Sequence, residues 1–356
     1  MLQSLIARTP FLIRLLHWEY WPSQAIYVPL LPYFVWLAFR SRHPFFFSAA
    51  NPSIYISGLG LESKFITTEK LPSRLRPKTI LVMPDEMPET IFDKLKNAGI
   101  SFPLIAKPDI GYRGFLVKKI ESGEALLDYL HRHPIAFILQ ELIDLPFEVG
   151  VLYYRYPGDA KGKVTSITLK EFLHVVGDGH SKVVDLVKRN PRALLQLERL
   201  QDTHASVLEL IPDSGQVISL GTIGNHSKGT KFIDGRHLIN EALVRHFDDL
   251  NLQINEVYYG RFDLKCQRLE DLITGENLKI IELNGICSEP THIYHPGYPY
   301  FKALYEVAQH WNVIARISVR NVQRGFSFIQ PAAMVKAVRD LRHYFKYVAA
   351  MAAGKE

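Results

Sequence analysis

The sequence has little cysteine, and what it has cannot build a disulfide framework. Its 356 residues include two cysteines, Cys266 and Cys287. Two cysteines exclude a disulfide-stapled secreted scaffold, and they give no zinc-ligand spacing. Because free thiols persist in reducing compartments, we expect a cytoplasmic protein.

The sequence also lacks an unbroken apolar stretch that could cross a membrane. The longest uncharged run, from Tyr20 to Phe39, is about the length that a spanning helix needs. However, Pro22, Pro29 and Pro32 interrupt it, and interior prolines break helical hydrogen bonding. No compact apolar core ends in a small-residue cleavage site, so a secretory signal is not predicted either.

A basic stripe of the kind that binds nucleic acid is missing as well. The net charge is +6, but it lies at the two ends. Residues 1–50 carry four arginines against one glutamate, and residues 331–356 carry five basic side chains against two acidic ones. Nucleic-acid binding would need a basic stripe with interleaved aromatics, so no such partner is predicted. Basic ends beside apolar segments favour peripheral contact with an anionic inner membrane face.

Aromatic residues crowd the first fifty positions. Trp and Tyr are enriched at membrane interfaces, so we interpret residues 1–50 as an apolar segment that lies against a membrane. Packing of the same side chains onto the protein's own core remains an alternative. The residues are Trp18, Tyr20, Trp21, Tyr27, Tyr33, Phe34, Trp36, Phe39, Phe45, Phe46 and Phe47.

The rest of the chain alternates between strand and helix patterns, which predicts an α+β protein. Residues 51–101 form a small mixed region with a strand at 54–56 and a helix over 86–98. Residues 102–315 form the main domain, with strands at 104–107 and 115–118 and a helix over 194–207 among others. Residues 316–356 form a helical tail, in which apolar positions including Val335, Val338 and Val348 recur at helical spacing.

Two short predicted strands contain the candidate metal ligands and a candidate phosphoryl-binding arginine. Gly260-Arg261-Phe262-Asp263 and Ile281-Glu282-Leu283-Asn284 each place polar side chains two residues apart. Residues i and i+2 of a strand share a face. If the strands pair, Asp263, Glu282 and Asn284 offer Mg²⁺ three oxygen ligands, and Arg261 suits a phosphoryl group.

A glycine loop and a linker complete the pattern. Lys107 ends a strand before a loop with Gly111 and Gly114, whose backbone N–H groups can approach phosphate oxygens. The segment Gln140-Glu141-Leu142-Ile143 runs from a strand into a linker that can face adenine, and Glu148 follows.

In this order the motifs resemble the ATP-grasp superfamily over roughly residues 63–315, nearest to the cyanophycin synthetase and D-Ala–D-Ala ligase groups. The resemblance implies two α+β subdomains that clasp ATP. It implies that Lys107 and Lys64 contact the phosphates, that residues 140–143 line the adenine, and that Glu148 binds the ribose. It also implies that Asp263, Glu282 and Asn284 bind Mg²⁺, with two ions expected, and that Arg261 contacts the transferred phosphate.

Two further loops resemble the cyanophycin synthetase type. One is Gly177-Asp178-Gly179, which follows a strand ending near Lys170, a lysine that we expect to reach the γ-phosphate. The other contains Asn225, Ser227 and Gly229, with Thr230 in place of a second glycine. Small-residue loops of this kind can bind anions through backbone N–H groups. His292 and Glu289 are candidate substrate contacts because they follow the metal motif.

The resemblance implies a carboxylate–amine ligase that uses ATP and an acyl phosphate to form an amide or peptide bond. Lys107, Lys170 and Arg261 would be its catalytic cations. A kinase with a hydroxyl acceptor, and a nucleotide-binding membrane protein without turnover, remain alternatives. The partners expected are a small carboxylate and an amine, either of which could be lipid-linked.

Overall fold

The computed structural model describes residues 9–111, 114–221 and 224–352. Residues 1–8 of the N-terminal segment, Tyr112 and Arg113 of the glycine loop, and residues 353–356 of the tail lie outside the described residues.

Eleven strands are present in the described residues, and they form three antiparallel sheets. A four-stranded sheet has the order β1-β4-β2-β3, a five-stranded sheet the order β11-β10-β5-β6-β9, and β7 pairs with β8. The strands are β1 Thr79–Val82, β2 Leu104–Pro108, β3 Lys118–Ile120, β4 Phe137–Glu141, β5 Phe147–Tyr154, β6 Lys163–Glu171, β7 His174–Val176, β8 Val217–Ser219, β9 Lys231–Asp234, β10 Tyr259–Cys266 and β11 Leu278–Asn284. The predicted α+β class is confirmed, and the two larger sheets give the two-subdomain plan that the resemblance implied.

Helices flank the sheets, and several begin at the caps that their sequences predict. Ser63, Ser122 and Asn240 each accept a hydrogen bond from the backbone of the first helical turn. The α-helices are α1 Pro10–Leu16, α2 Gln24–Tyr27, α3 Leu31–Ser41, α4 Lys64–Glu69, α5 Pro88–Ala98, α6 Gly123–Arg132, α7 Val183–Arg189, α8 Pro191–Leu194, α9 Leu197–Thr203, α10 Ala205–Leu208, α11 Glu241–Leu252, α12 Asp271–Thr274, α13 Tyr300–Gln323 and α14 Pro331–Ala352.

The five-stranded sheet has one apolar and one polar face, because side chains alternate along each strand. Val149, Val151, Phe262 and Leu264 belong to the apolar face, which packs on α11 and forms the largest core. The residues between them in sequence point the other way, and they form the candidate site described below.

The two ends of the chain pack on the body. Helix α3 lies against α13, where the rings of Phe34 and Trp311 are 5.1 Å apart. Helix α14 buries Met334, Ala337 and Val348, whereas the predicted apolar positions Val335 and Val338 are exposed. The boundary placed at residues 315 and 316 falls inside the continuous helix α13.

Three local predictions were wrong. Residues 54–56 lie in and before a 3-10 turn over Tyr55–Ser57 rather than in a strand. The strand expected at 115–118 begins at Lys118, because Gly114 and Leu116 have positive φ and turn the chain. The helix expected over 194–207 is divided into α8, α9 and α10.

Candidate active site

The site lies on the polar face of the five-stranded sheet, and strand register assembles it. Asp263 on β10 lies opposite Glu282 on β11 and opposite Gly150 on β5. On the next pair of strands Glu148 lies opposite Lys170. Four strands therefore bring the predicted metal ligands and a predicted catalytic lysine to one face.

Asp263 is the centre of the polar cluster. Its carboxylate accepts hydrogen bonds from Arg261 Nε at 3.0 Å and Nη2 at 2.9 Å, and from Asn284 Nδ2 at 3.0 Å. Lys170 Nζ lies 3.4 Å from Asp263 Oδ1. Burial alone would raise the pKa of this carboxyl, but the charges of Arg261 and Lys170 outweigh burial and hold the pKa below its ordinary value. Asp263 is therefore ionised at neutral pH.

Lys170 is buried between two carboxylates. Its ammonium donates to Glu148 Oε1 at 2.8 Å in addition to its contact with Asp263. Burial by itself would lower the pKa of Lys170, yet these two carboxylates raise it overall. Gly224 packs on this pair so closely that a Cβ there would lie 2.0 Å from Glu148 Oε1.

Lys64 reaches the site from outside the two sheets. Its ammonium forms an ion pair with Glu282. Helix α4, which carries Lys64, is held in place because Asp109 accepts hydrogen bonds at 2.9 Å from Ser63 Oγ and from the backbone N–H of Phe65. Helix α4 thus places Lys64 beside Glu282, one of the predicted metal ligands.

The segment that precedes α4 passes so close to the end of β11 that glycine is required there. A Cβ at Gly58, whose φ is +87°, would lie 2.6 Å from Gly285 Cα. This crossing places the chain before α4 directly against the residue that follows β11.

Lys107 differs from the other lysines because its contacts are neutral. Its ammonium donates to Gln140 Oε1 at 3.2 Å and to the carbonyl of Ile281 at 3.1 Å. The register of β10 and β11 shifts by one residue after Asp263, which leaves Ile281 without a directly opposed residue. Burial lowers the pKa of Lys107 to about 8. An anion bound beside this lysine would therefore stabilise its charged form and raise its pKa.

The residues present fit a magnesium ion. Asp263, Glu282 and Asn284 supply two carboxylates and one amide oxygen in adjacent register positions, a donor set that suits a hard cation which keeps water and phosphate oxygens. Among the described residues no group of three or more His, Cys, Asp or Glu side chains could hold a metal.

The linker predicted to face adenine connects the two sheets, since β4 ends at Glu141 and β5 begins at Phe147. Its backbone and side chains already form hydrogen bonds within the protein. Glu141 Oε1 accepts a hydrogen bond from the backbone N–H of Lys78 at 2.9 Å, and the carbonyl of Ile143 accepts one from Lys265 at 3.1 Å. Leu142 lies between these two fixed points.

Two of the predicted phosphate loops meet across the space between the sheets. Lys228 Nζ donates to the carbonyl of Gly114 at 2.7 Å. Within the first loop Gly111 and Gly114 are described, and Gly114 has a φ of +67°. The Asn225 side chain accepts hydrogen bonds from the backbone N–H and the hydroxyl of Ser227, both at 3.0 Å, which fixes the second loop.

Glycine is required at Gly229, where φ is +95°, but Thr230 is not among the described residues with positive φ. Threonine therefore costs this loop no backbone strain at the position where the related loops have a second glycine.

The Gly-Asp-Gly segment does not present its donors to a ligand. Asp178 accepts hydrogen bonds from the backbone N–H groups of His180 at 3.1 Å and Ser181 at 2.7 Å. The expectation that this loop binds an anion is corrected, because the chain's own carboxylate fills that position ahead of α7.

His292 and Glu289 have different surroundings. His292 is fully buried and contacts Ser166 Oγ at 2.8 Å and Glu306 Oε2 at 2.6 Å, so it is a core residue rather than a substrate contact. Glu289 is half-buried and accepts hydrogen bonds at 2.6 Å from the hydroxyls of Tyr27 and Tyr294. Through Tyr27 the N-terminal segment reaches the chain that follows β11.

Sequence reasoning missed Gly150 and Gly224 as site residues. A Cβ at Gly150 would lie 3.1 Å from Asp263 Oδ1, so the absence of a side chain leaves room for the cluster. Gly150 could have been found, because it follows Glu148 at the same two-residue spacing that places Asp263 after Arg261.

Comparisons with known proteins give weak similarities. No family model matches the chain, and no curated protein matches it. Solved structures that it resembles include a bifunctional glutathione synthetase from Pasteurella multocida (17% identity, TM-score 0.38, 69% of this chain and 35% of that one). A D-alanine–D-alanine ligase from Bacillus anthracis matches at 15% identity and TM-score 0.40, over 74% of this chain and 69% of that one.

The ATP-grasp ligase PsnB, complexed with its minimal precursor, matches at 14% identity and TM-score 0.36, over 71% of this chain and 60% of that one. The chain thus spans about a third of the glutathione synthetase and less than two thirds of PsnB. At these TM-scores nothing about the activity of this chain follows from the similarities.

Proposed function

We propose that this protein is an ATP-dependent carboxylate–amine ligase of the ATP-grasp type. The observation that carries the proposal is the convergence of Lys64, Lys170 and Arg261 on the carboxylates of Asp263 and Glu282, with Lys107 beside them on the carbonyl of Ile281. These residues come from α4 and from strands of both larger sheets. Four cations around a hard-cation ligand set suit a polyphosphate with its metal.

The residues divide between binding and transfer. Lys107 and Lys64 contact the phosphates, residues 140–143 line the adenine, and Glu148 takes the ribose. Asp263, Glu282 and Asn284 would hold Mg²⁺, which would offset the negative charge of the phosphates. Arg261 and Lys170 stabilise the transferred phosphoryl group, and Asn225, Ser227 and Gly229 border it from the second loop.

The reaction runs in two balanced steps. A carboxylate oxygen of the first substrate attacks the γ-phosphorus of ATP, and ADP leaves with the electrons of the broken P–O bond. The amine nitrogen of the second substrate then attacks the acyl carbon. An amide forms, inorganic phosphate leaves with the carboxylate oxygen, and the ammonium substrate releases one proton net. Lys228 donates to Gly114 and so joins two of the glycine loops, which would help to exclude water from the acyl phosphate.

The test is release of ADP and free phosphate from Mg·ATP in the presence of pooled amino acids, short peptides and amino lipids, with hydroxylamine added as a trap. A hydroxamate that depends on one carboxylate supports the ligase. Retention of the phosphate on a hydroxyl acceptor would instead establish a kinase. Tight ATP binding without turnover in any pool, unchanged by Arg261→Ala, would overturn the catalytic proposal.

A further inference from the structure

Helix α3 is apolar on two opposite sides. One side carries Phe34 and the fully buried Leu37 and packs on α13. The other side carries Leu31, Val35 and Phe39, which recur every four residues and are 54%, 58% and 80% exposed. A globular helix ordinarily turns a polar side to water, so this second side has the character of a contact surface.

Helix α13, on which α3 packs, also exposes aromatic side chains. Phe301 is 81% exposed, and Tyr305 one turn further on is exposed too. The two helices are joined by a hydrogen bond of 2.7 Å from Arg40 to Asn312 Oδ1 and by the packing of Phe34 on Trp311. We define the N-terminal apolar face as the exposed α3 side chains Leu31, Val35, Trp36 and Phe39.

The exposed charges of the segment that carries this face have one sign. Arg14, Arg40 and Arg42 are exposed. The acidic residue within residues 9–50 is Glu19, which is buried and paired with Arg192 at 2.5 Å. An exposed apolar patch on a segment whose exposed charges are all positive complements a surface that is apolar inside and anionic outside.

We propose that the N-terminal apolar face binds the headgroup region of an anionic lipid bilayer, with α3 lying along the membrane plane. Trp36 suits that interface, since its ring is apolar and Arg40 lies over it at 5.2 Å. Among the described residues, no helix has both the length and the apolar character to traverse a bilayer, so the contact is peripheral. A symmetric pairing with a second copy would bring the arginines of two chains together, which charge opposes.

The segment that precedes the face also contacts the chain that follows β11. Tyr27, just before α3, donates to Glu289, and Trp18 Nε1 donates to the carbonyl of Tyr298 at 2.5 Å. If the proposed ligase function holds, on which this step rests, membrane contact would present the site to an amine or carboxylate carried by a lipid.

Flotation of the full chain with vesicles tests the proposal without requiring turnover, so its failure is distinct from failure of the ligase. The vesicles are phosphatidylcholine alone or with phosphatidylglycerol. We expect recovery on anionic vesicles, reduced at least tenfold in the triple variant Leu31→Ser, Val35→Ser, Phe39→Ser. The control triple Met87→Ser, Leu210→Ser, Val217→Ser changes equally exposed residues elsewhere and should float like the parent.

Two results would overturn the proposal. One is equal recovery of the parent and the face triple, with both shown to be folded by circular dichroism. The other is a dimer of the parent in size-exclusion chromatography without lipid that the face triple converts to a monomer. Arg14→Gln with Arg42→Gln supplies a second measurement, because it should weaken binding to anionic vesicles and leave the neutral ones unaffected.

Discussion

Asp263 and Glu282 lie directly opposite each other on β10 and β11, and each carboxylate is paired with its own cations. Arg261 and Lys170 contact Asp263, whereas Lys64 contacts Glu282. Two neighbouring carboxylates would otherwise repel. In the proposed ligase, Mg²⁺ held by these residues would supply the same charge compensation.

Glu282→Gln should lower the affinity for Mg²⁺ and reduce ATP turnover by at least 100-fold. The variant also leaves Lys64 without its carboxylate, so unfolding free energy should fall by less than the ~3–5 kcal/mol of a fully buried pair. Titration of turnover with Mg²⁺ and thermal unfolding measure the two effects. Glu171→Gln is the control, because Glu171 forms a long, exposed pair with Lys231 at 3.4 Å; equal losses in both variants would contradict the assignment.

Gly224→Ala should impair the site through sterics alone. The new Cβ would lie 2.0 Å from Glu148 Oε1 and 2.8 Å from Lys170 Cδ, so the buried pair must shift. We expect at least a tenfold loss of kcat with little change in expression. Gly221→Ala, three residues earlier, meets ordinary contacts from 3.5 Å outward and should retain activity.

Lys107 should couple ATP binding to proton uptake. Burial lowers its pKa to about 8 in the protein without ligand, and a nearby phosphate would favour the charged form. Binding near pH 8.5 should therefore take up protons, and affinity should fall by up to about tenfold per pH unit above pH 8. Calorimetry in two buffers of different ionisation enthalpy measures the uptake. Lys107→Arg stays charged at these pH values, so persistent uptake in that variant would refute the linkage.

Lys228→Ala should loosen the contact between the two loops. Removal of the 2.7 Å bond to the Gly114 carbonyl predicts faster hydrogen exchange over residues 114–117 and a several-fold higher KM for ATP. Lys231→Ala removes an exposed lysine from the same part of the chain and serves as control. Unchanged exchange in Lys228→Ala would show that the contact does not hold the loops together.

Tyr27→Phe should change the KM of a non-nucleotide substrate of the proposed ligase without changing the KM for ATP. It deletes the 2.6 Å hydrogen bond to Glu289 and leaves the cations proposed to contact phosphate unchanged. We expect a raised KM for one of the non-nucleotide substrates and an unchanged KM for ATP. Tyr305→Phe, on an exposed side chain, should alter neither. A change confined to ATP would show that Glu289 acts on the nucleotide side.

The sequence was sufficient to predict the α+β class and the shared face of Arg261 and Asp263. Both follow from the two-residue period of strands, which is local. It was less successful for residues 54–56 and 115–118, where positive φ values at Ile56 and Leu116 turn the chain. These are non-glycine residues, which rarely adopt that conformation, so no sequence pattern predicts it.

What the sequence alone determined is which residues can share a face, since that depends on spacing within one strand. The tertiary structure decided which strand lies opposite which, and so placed Glu282 against Asp263 and Lys170 against Glu148. It also brought Lys64 to Glu282 and Lys228 to Gly114 from distant segments. Such contacts arise from packing between segments far apart in the chain. The local periodicity of one segment does not indicate which other segment it contacts.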